Sequence, residues 1–466
     1  MTFAAFKRAR IVRSGWLEEG GRRLDCNPYM SGAMEARDAI ERLDVLKEPL
    51  KDLTAGIFDS GRESRSWVSD PRFGVPYMGS AGIRLADFST LPLISKKQVL
   101  KNPRLLLQEG YSLITRSGTI GRMAYVRPDM AGLACSEDVL RVVPDFERIP
   151  PGYMYAFLSS RYGVPLVVSG TYGAIIQHIE PEHIADLPIP RFSKAAERCI
   201  ASLVETAEAA RSKAAKLLEV AESRLIELLK LRPPTSVAHF AKPDVAAISS
   251  EKLIDRCDAY YYSARNSEAR AALDATGNCQ LLGAVAEVFI PGIFKRLYVS
   301  DPSFGSPYIT GGDVFEIAPT SDKYLMRKVA KEYRLLLRKG MIVVQEAGQL
   351  GGLIGRSVMV GDHLDGFSCS NNMIRIVPED DIDGGYLFVL LNSEYGVRLL
   401  SREAAGSSIP HTDEQRVKRI SIPWPDKDIR TQISEFAIKA RDLRDQACIS
   451  EAQARTEVET LVERGQ

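Results

Sequence analysis

At 466 residues the chain is too long for one ordinary domain, and its 45% hydrophobic and 26% charged content is that of a soluble globular protein with material for several cores. Its 61 Lys+Arg against 60 Asp+Glu exclude a uniformly basic nucleic-acid coat, but not a reader whose basic residues are gathered on one face. The segment Met1 to Arg13 is basic but has no apolar run long enough for a signal peptide, and no window approaches a membrane span, so a cytoplasmic protein without membrane contact is expected.

Taken in chain order, the elements come twice, the second series displaced by about 233 residues. Arg23-Leu24-Asp25-Cys26-Asn27-Pro28-Tyr29 matches Arg256-Cys257-Asp258-Ala259-Tyr260-Tyr261-Tyr262, and Gly56-Ile57-Phe58 matches Gly292-Ile293-Phe294. Val68-Ser69-Asp70-Pro71-Arg72-Phe73-Gly74 matches Val299-Ser300-Asp301-Pro302-Ser303-Phe304-Gly305. Further on, Ile120-Gly121-Arg122 matches Ile354-Gly355-Arg356, Leu140 to Pro144 matches Ile374 to Pro378, Gly152-Tyr153 matches Gly385-Tyr386, and Tyr162-Gly163-Val164 matches Tyr395-Gly396-Val397. So many collinear matches establish a duplication.

Within each copy, Ser112–Thr115, Leu140–Val143, Met341–Val344 and Met373–Val377 are short, β-branched and bounded by Gly or Pro, and are predicted strands. Tyr153–Ser159 and Tyr386–Asn392 are predicted short helices. Each copy closes on a strand-like Leu187 to Pro190 or Ile420 to Pro423 and then enters a long helical stretch, the first of which, from about Lys194 to Leu231, is free of Gly and Pro. In the first stretch Ile200, Ala207, Ala214, Ala221 and Leu228 recur at heptad spacing; Ile433, Ala440, Ala447, Ala454 and Leu461 do so in the second.

Two equal seams in one chain are best buried against each other as an antiparallel pair. Each helix would then be a rod of roughly 55–60 Å. The alternative is that each helix packs only on its own domain, with alanine recurring because it favours helices. The expected architecture is α+β and internally duplicated: two α/β domains, 1–193 and 251–424, separated by two long antiparallel coiled-coil helices, 194–231 and 425–466, with a connector at 232–250 begun by Arg232-Pro233-Pro234-Thr235-Ser236.

A catalytic constellation is not found. Ser117-Gly118-Thr119-Ile120-Gly121 is glycine-rich but lacks the lysine of a phosphate loop, and Asn27-Pro28-Tyr29 lacks the second proline of an amino-methyltransferase motif and is not repeated. The 5 histidines are scattered, and the 7 cysteines form no C-x-x-C pair, so no metal site or disulfide framework is expected. Cys135 and Cys369, in matching positions, are expected to be buried thiols.

A duplicated reader would carry phosphate contacts on basic segments and base contacts where the copies diverge. Lys96, Lys97 and Arg116 in the first copy, and Lys328, Lys331 and Arg334 in the second, are candidates for phosphate, with a solvated helix face as the alternative. Arg62 and Arg65 lie in an apparent insertion facing the loop of Lys295 and Arg296, while Gln345 and Gln349 mark a place where the second copy is longer. His178 and His411 are the only histidines that match, following Gly173 and Ile176 or Gly406 and Ile409; with Ser407 and Ser408 they suit a DNA-facing loop, or else a loop histidine that is merely hydrogen-bonded.

In this order, twice, the Arg-x-Asp-x-x-x-Tyr openings, Val75-Pro76-Tyr77 with Ser306-Pro307-Tyr308, Gly110 to Gly121, and the strands ending at Pro190 and Pro423 before a long helix resemble specificity subunits of type I restriction-modification systems. The second copy departs from the family pattern at Ala347-Gly348-Gln349-Leu350-Gly351-Gly352, which bears on its loop path. The resemblance implies two target recognition domains, each reading half of a bipartite site in double-stranded DNA. It also implies a non-catalytic chain serving phage defence and docking of two DNA adenine methyltransferase subunits that bring S-adenosylmethionine. A restriction/translocase subunit using ATP and Mg would join, with no cofactor in this chain. A reader guiding the effector of another anti-phage system would need the same features. If the helices set the spacer between half-sites, deleting one heptad from each should shorten the spacer in the recognised motif while leaving both half-sites alone; an unchanged spacer would dismiss the ruler.

Overall fold

The computed structural model describes residues 14–19, 29, 31–170, 178–232, 247–253 and 256–465. Arg23 to Pro28, Gly173 and Ile176, and Pro233 to Ser236 with most of the connector lie outside the described residues. The chain divides into two compact units, Met1–Ser212 with Gln446–Gln466, and Lys213–Asp445.

In the first unit, Thr54–Phe58, Val139–Pro144, Ser112–Thr115 and Met123–Tyr125 lie side by side as an antiparallel sheet. A smaller sheet orders Trp67–Val68, Leu93–Ser95, Gly74–Met78 and Ala134–Cys135, the last pair running parallel. Lys47–Pro49 pairs with Pro188–Pro190 as a separate ribbon. All four residues of Ser112–Thr115 are buried, as expected for a strand covered on both faces.

The second unit repeats this strand for strand. Ala286–Phe289, Met373–Pro378, Ile342–Gln345 and Ser357–Met359 form the larger sheet. Tyr298–Val299, Tyr324–Met326, Gly305–Ile309 and Ser368–Cys369 form the smaller one, and Cys279–Leu281 pairs with Ser421–Pro423.

The strand register corrects one match. Phe58 sits opposite Arg141 and Phe289 opposite Arg375, so Phe58 corresponds to Phe289 and not to Phe294. A bulge between Thr54 and Gly56 takes up the extra residue of the first copy. The segments that follow, 59–66 and 290–297, are therefore equal in length, and the expected insertion at Arg62 to Arg65 does not exist. Arg65 and Arg296 occupy the same position.

The matched Gly-Tyr pairs have a packing reason. Gly152 is the second residue of the buried helix Pro151–Leu158, and Gly385 the fifth of the buried helix Asp381–Asn392. A Cβ on Gly152 would lie 2.6 Å from the Ala201 carbonyl oxygen, and one on Gly385 would lie 2.7 Å from Ser434 Cβ, so each short helix touches a long helix nearly backbone to backbone. Beside them, the Tyr153 hydroxyl donates to the Pro190 carbonyl and the Tyr386 hydroxyl to the Pro423 carbonyl, tying the same helices to the closing strands.

The long helices are Lys194–Leu228 and Lys427–Arg464. Ile200, Ala207, Ala214, Ala221, Ile433, Ala440, Ala447 and Ala454 are buried, and Leu228 and Leu461 partly so. Each unit draws on both helices. Ile200, Ala201 and Val204 share the core of the first unit with Ala454, Val458 and Val462, while Ala221 and Leu225 share that of the second with Ile433 and Ala437.

Within the first unit the two helices run antiparallel, and a buried polar cluster interrupts their apolar seam. Arg211 pairs with both Glu208 and Glu451, and Glu451 also accepts from the Tyr155 hydroxyl at 2.7 Å and from Arg455 at 2.7 Å. Burial opposes ionisation of both carboxyls. It wins at Glu208, which is pushed up to about 7; at Glu451 the Arg211 and Arg455 guanidinium groups outweigh it and hold the carboxyl well below its usual range.

The stability contributed by Glu208 is thus complete below about pH 4.5 and lost as pH rises through about 7, whereas that of Glu451 is present above about pH 4.5 and lost only in stronger acid. Glu208→Gln should therefore raise the melting temperature at pH 8 and flatten its fall from pH 5 to 8 in calorimetry. Glu451→Gln should cost about 3–5 kcal/mol at neutral pH by leaving Arg211 short of its partner. Equal losses from both variants would remove the asymmetry.

Candidate nucleic-acid interface

In each unit the chain leaves the smaller sheet at Cys135 or Cys369 and enters the larger one at Val139 or Met373. The turn between is held from inside by a fully buried arginine. Arg141 Nη1 donates to the Ser136 and Val139 carbonyls at 2.8 and 2.6 Å, and its Nη2 to the Cys135 carbonyl. Arg375 donates in the same pattern to Ser370 at 2.8 Å, Cys369 at 2.8 Å and Met373. Burial lowers the Arg375 pKa from its ordinary value, yet guanidinium stays charged at any working pH.

Against this turn lies the hairpin loop 116–122, or its longer equivalent 346–356. Both close the same way: Gly121 and Gly355, each at φ 79°, donate to the Thr115 and Gln345 carbonyls at 3.1 and 3.0 Å. Such a backbone favours glycine. A third segment pairs with the start of the loop, through Ser117 with His178 in one unit and Ala347 with His411 in the other. The two matched histidines therefore occupy one position in the frame.

The side chains carried on this common frame differ. In the first unit Arg116 ties the segments together, donating to the Ile179 and Glu137 carbonyls at 3.1 and 3.3 Å and pairing with Asp59 at 3.3 Å and with Glu180. Ser117 donates to Asp138 at 2.6 Å. At the Arg116 position the second unit has Glu346, whose carboxylate Oε1 lies 3.0 Å from His411 Nδ1, and Glu137-Asp138 is replaced by Asn371-Asn372.

Arg65 and Arg296 rest on equivalent tyrosines. Arg65 lies over the Tyr77 ring at 5.4 Å and pairs with Glu137 at 3.1 Å, while Arg296 donates to the Tyr308 hydroxyl at 3.1 Å. Trp67 and Tyr298 pack edge-on against the same two rings. Burial pushes the Tyr77 phenol up to about 12 despite Arg65, so it remains a neutral hydroxyl. This Arg-on-aromatic arrangement was hidden from the sequence reading by the false insertion.

Of the remaining candidates, Arg62, Lys295, Gln349, Ser407 and Ser408 are exposed, and Gln345 donates to the Ala347 carbonyl at 2.7 Å from inside the loop. Lys96 and Lys97 are exposed in the first turn of the Lys96–Lys101 helix, and Lys328 and Lys331 on Arg327–Glu332. Arg334 is engaged elsewhere, paired with Glu287 at 2.8 Å and stacked on Phe289 at 3.7 Å. Among the described residues no cluster of His, Cys, Asp or Glu could hold a metal ion, and no helix is long and apolar enough to cross a membrane.

If these surfaces meet phosphate, replacing Lys328 and Lys331 by glutamine should weaken binding to all DNA sequences alike and lower the salt slope by roughly one for each lysine. Arg334→Gln should leave the slope nearly unchanged because Glu287 already holds that charge. Salt-titrated binding isotherms decide this, and a slope indifferent to the lysines would exclude the helix from the interface.

No protein-family profile matches the chain, and no curated protein does. Its structural neighbours are subunits of type I restriction-modification systems. The crystal structure of the S subunit from M. genitalium is 13% identical with a TM-score of 0.37, over 91% of this chain and 96% of that one. The HsdS subunit from Thermoanaerobacter tengcongensis is 13% identical with a TM-score of 0.28, over 90% and 95%. A chain from a study of assembly and conformational transition of the type I system is 11% identical with a TM-score of 0.29, over 90% and 96%.

Proposed function

We propose that this chain is the non-catalytic specificity subunit of a type I restriction-modification complex. Each half reads one part of a bipartite double-stranded DNA site, and partner subunits carry out the modification. The observation that carries this reading is the contrast between frame and face. The two units share every strand pairing and the buried arginine, but put Arg116, Glu137 and Asp138 in one and Glu346, Asn371 and Asn372 in the other on matching positions.

A protein that bound the same ligand twice would be expected to keep such positions alike. Two readers of different half-sites must differ there, because each base pair shows its own donors and acceptors in the major groove. Residues 1–193 and 251–424 are the two recognition domains, and the length of the long helices sets the unread spacer. Two adenine methyltransferase subunits supply S-adenosylmethionine chemistry, and a translocating restriction subunit supplies ATP-driven cleavage. These reactions belong to the partners, and the protein works in the cytoplasm.

Mapping methylation across the genome of cells expressing this chain with its neighbouring methyltransferase tests the reading. A split methylated motif that vanishes when this chain is omitted is the expected result. Methylation that does not depend on the chain would overturn it and shift weight to a reader serving another effector.

A further inference from the structure

The opening motif of the second copy, Arg256-Cys257-Asp258 with Tyr260 to Tyr262, is left without a role by everything above. Its Arg256 is almost fully buried and fans over the C-terminal end of the Glu394–Arg402 helix. Nη1 donates to the Arg402 and Glu403 carbonyls at 3.2 and 3.0 Å, Nη2 to Ala404 at 2.7 Å, and Nε to Asp258 at 2.6 Å. The Tyr261 ring packs against both Arg256 and Arg402, at 4.8 and 4.0 Å, and the Tyr260 hydroxyl meets the Ser401 hydroxyl at 3.1 Å. Three successive helix-end carbonyls that would otherwise be unsatisfied are thus gathered by one planar cation.

The next residue begins a narrow loop. Ala405 and His411 exchange backbone hydrogen bonds at 2.8 and 2.9 Å, and the far side is fixed by Gly348 donating to the Pro410 carbonyl and by Glu346 beside His411. With both stems held, the tip presents Ser407, Ser408 and Ile409 to solvent, Ile409 at 60% exposure. An exposed branched apolar side chain on a loop held at both stems, beside two hydroxyls, suits one base edge in particular: hydroxyls donate or accept as required, and the apolar group fits the methyl of thymine.

We propose, resting on the function given above, that the 405–411 loop reads an A·T pair of the second half-site through the thymine methyl against Ile409, and that Arg256 is its positioning residue. A fan over three carbonyls and a carboxylate needs the guanidinium plane, so lysine cannot replace it.

The test uses the full chain with its methyltransferase partners and, once the split motif is known, duplexes in which single thymines are replaced by deoxyuridine. Loss of one methyl at one position of the second half-site should weaken wild-type binding roughly fourfold, the worth of one buried carbon. In Ile409→Ala that methyl should no longer matter, and in Arg256→Lys the thymine preference should fall while discrimination at the first half-site stays intact. Should Arg256→Lys fail to fold, Ile409→Ala alone decides, since it alters only an exposed tip. Indifference to every second-half thymine methyl, with the split motif still recognised, would overturn this proposal and leave the function standing; impaired partner assembly in Ile409→Ala with unchanged thymine preference would do so too and assign the tip to a protein contact. Absence of any split motif for the wild-type complex would overturn both.

Discussion

A guanidinium buried among backbone carbonyl oxygens is the constraint on which each half is built. Removing Arg141 or Arg375 from water is costly, and what offsets it is that each satisfies three backbone acceptors in a turn that has no ladder of its own. That turn is where the chain passes from one sheet to the other, so fixing it fixes the angle between them. The hairpin loop and the histidine segment then assemble against a rigid edge. Function needs variable side chains on an invariant support, and a buried main-chain clamp provides the support without occupying the surface.

The surface itself uses its charges in two ways. Arg116 and Arg65 are drawn into ion pairs with Asp59, Glu180 and Glu137, so they shape the first loop cluster more than they project from it. Lys96, Lys97, Lys328 and Lys331 stand out on short helices at the rim of the smaller sheets. Division of labour between shaping arginines and projecting lysines follows from chemistry: the planar fork satisfies several acceptors at once, while the ammonium is a strongly hydrated point charge on a long flexible stem.

Much of the frame was legible in the sequence because the repeated strings coincide with positions that packing dictates. Gly152-Tyr153 and Gly385-Tyr386 recur since the glycine admits a helix and the tyrosine reaches a strand carbonyl, and Ile120-Gly121 and Ile354-Gly355 recur since the loop must end at positive φ. The match of Gly56-Ile57-Phe58 misled because the same three-residue string recurs five residues past the true counterpart, Glu287-Val288-Phe289, and only the strand pairing separates the two. Arg141 and Arg375 did stand in matched strings, each within an otherwise apolar strand, and that was the available sign that they turn inward. Which segments meet at Arg116 or Arg256 was not legible, since those contacts join residues far apart in the chain whose spacing obeys no period.

The two halves are equal in fold but not in how the chain composes them. The second is one continuous stretch, Lys213–Asp445, while the first is closed only by Gln446–Gln466, whose Ala454, Val458 and Val462 lie in its core. During synthesis the whole second half leaves the ribosome before the last piece of the first. The half made first therefore finishes folding last, with the part of its core that Ala454, Val458 and Val462 complete left open until Gln446–Gln466 has been made. A chain broken off before Gln446 yields a completed second half and an open first one, so such a break exposes a sticky core rather than leaving two intact halves.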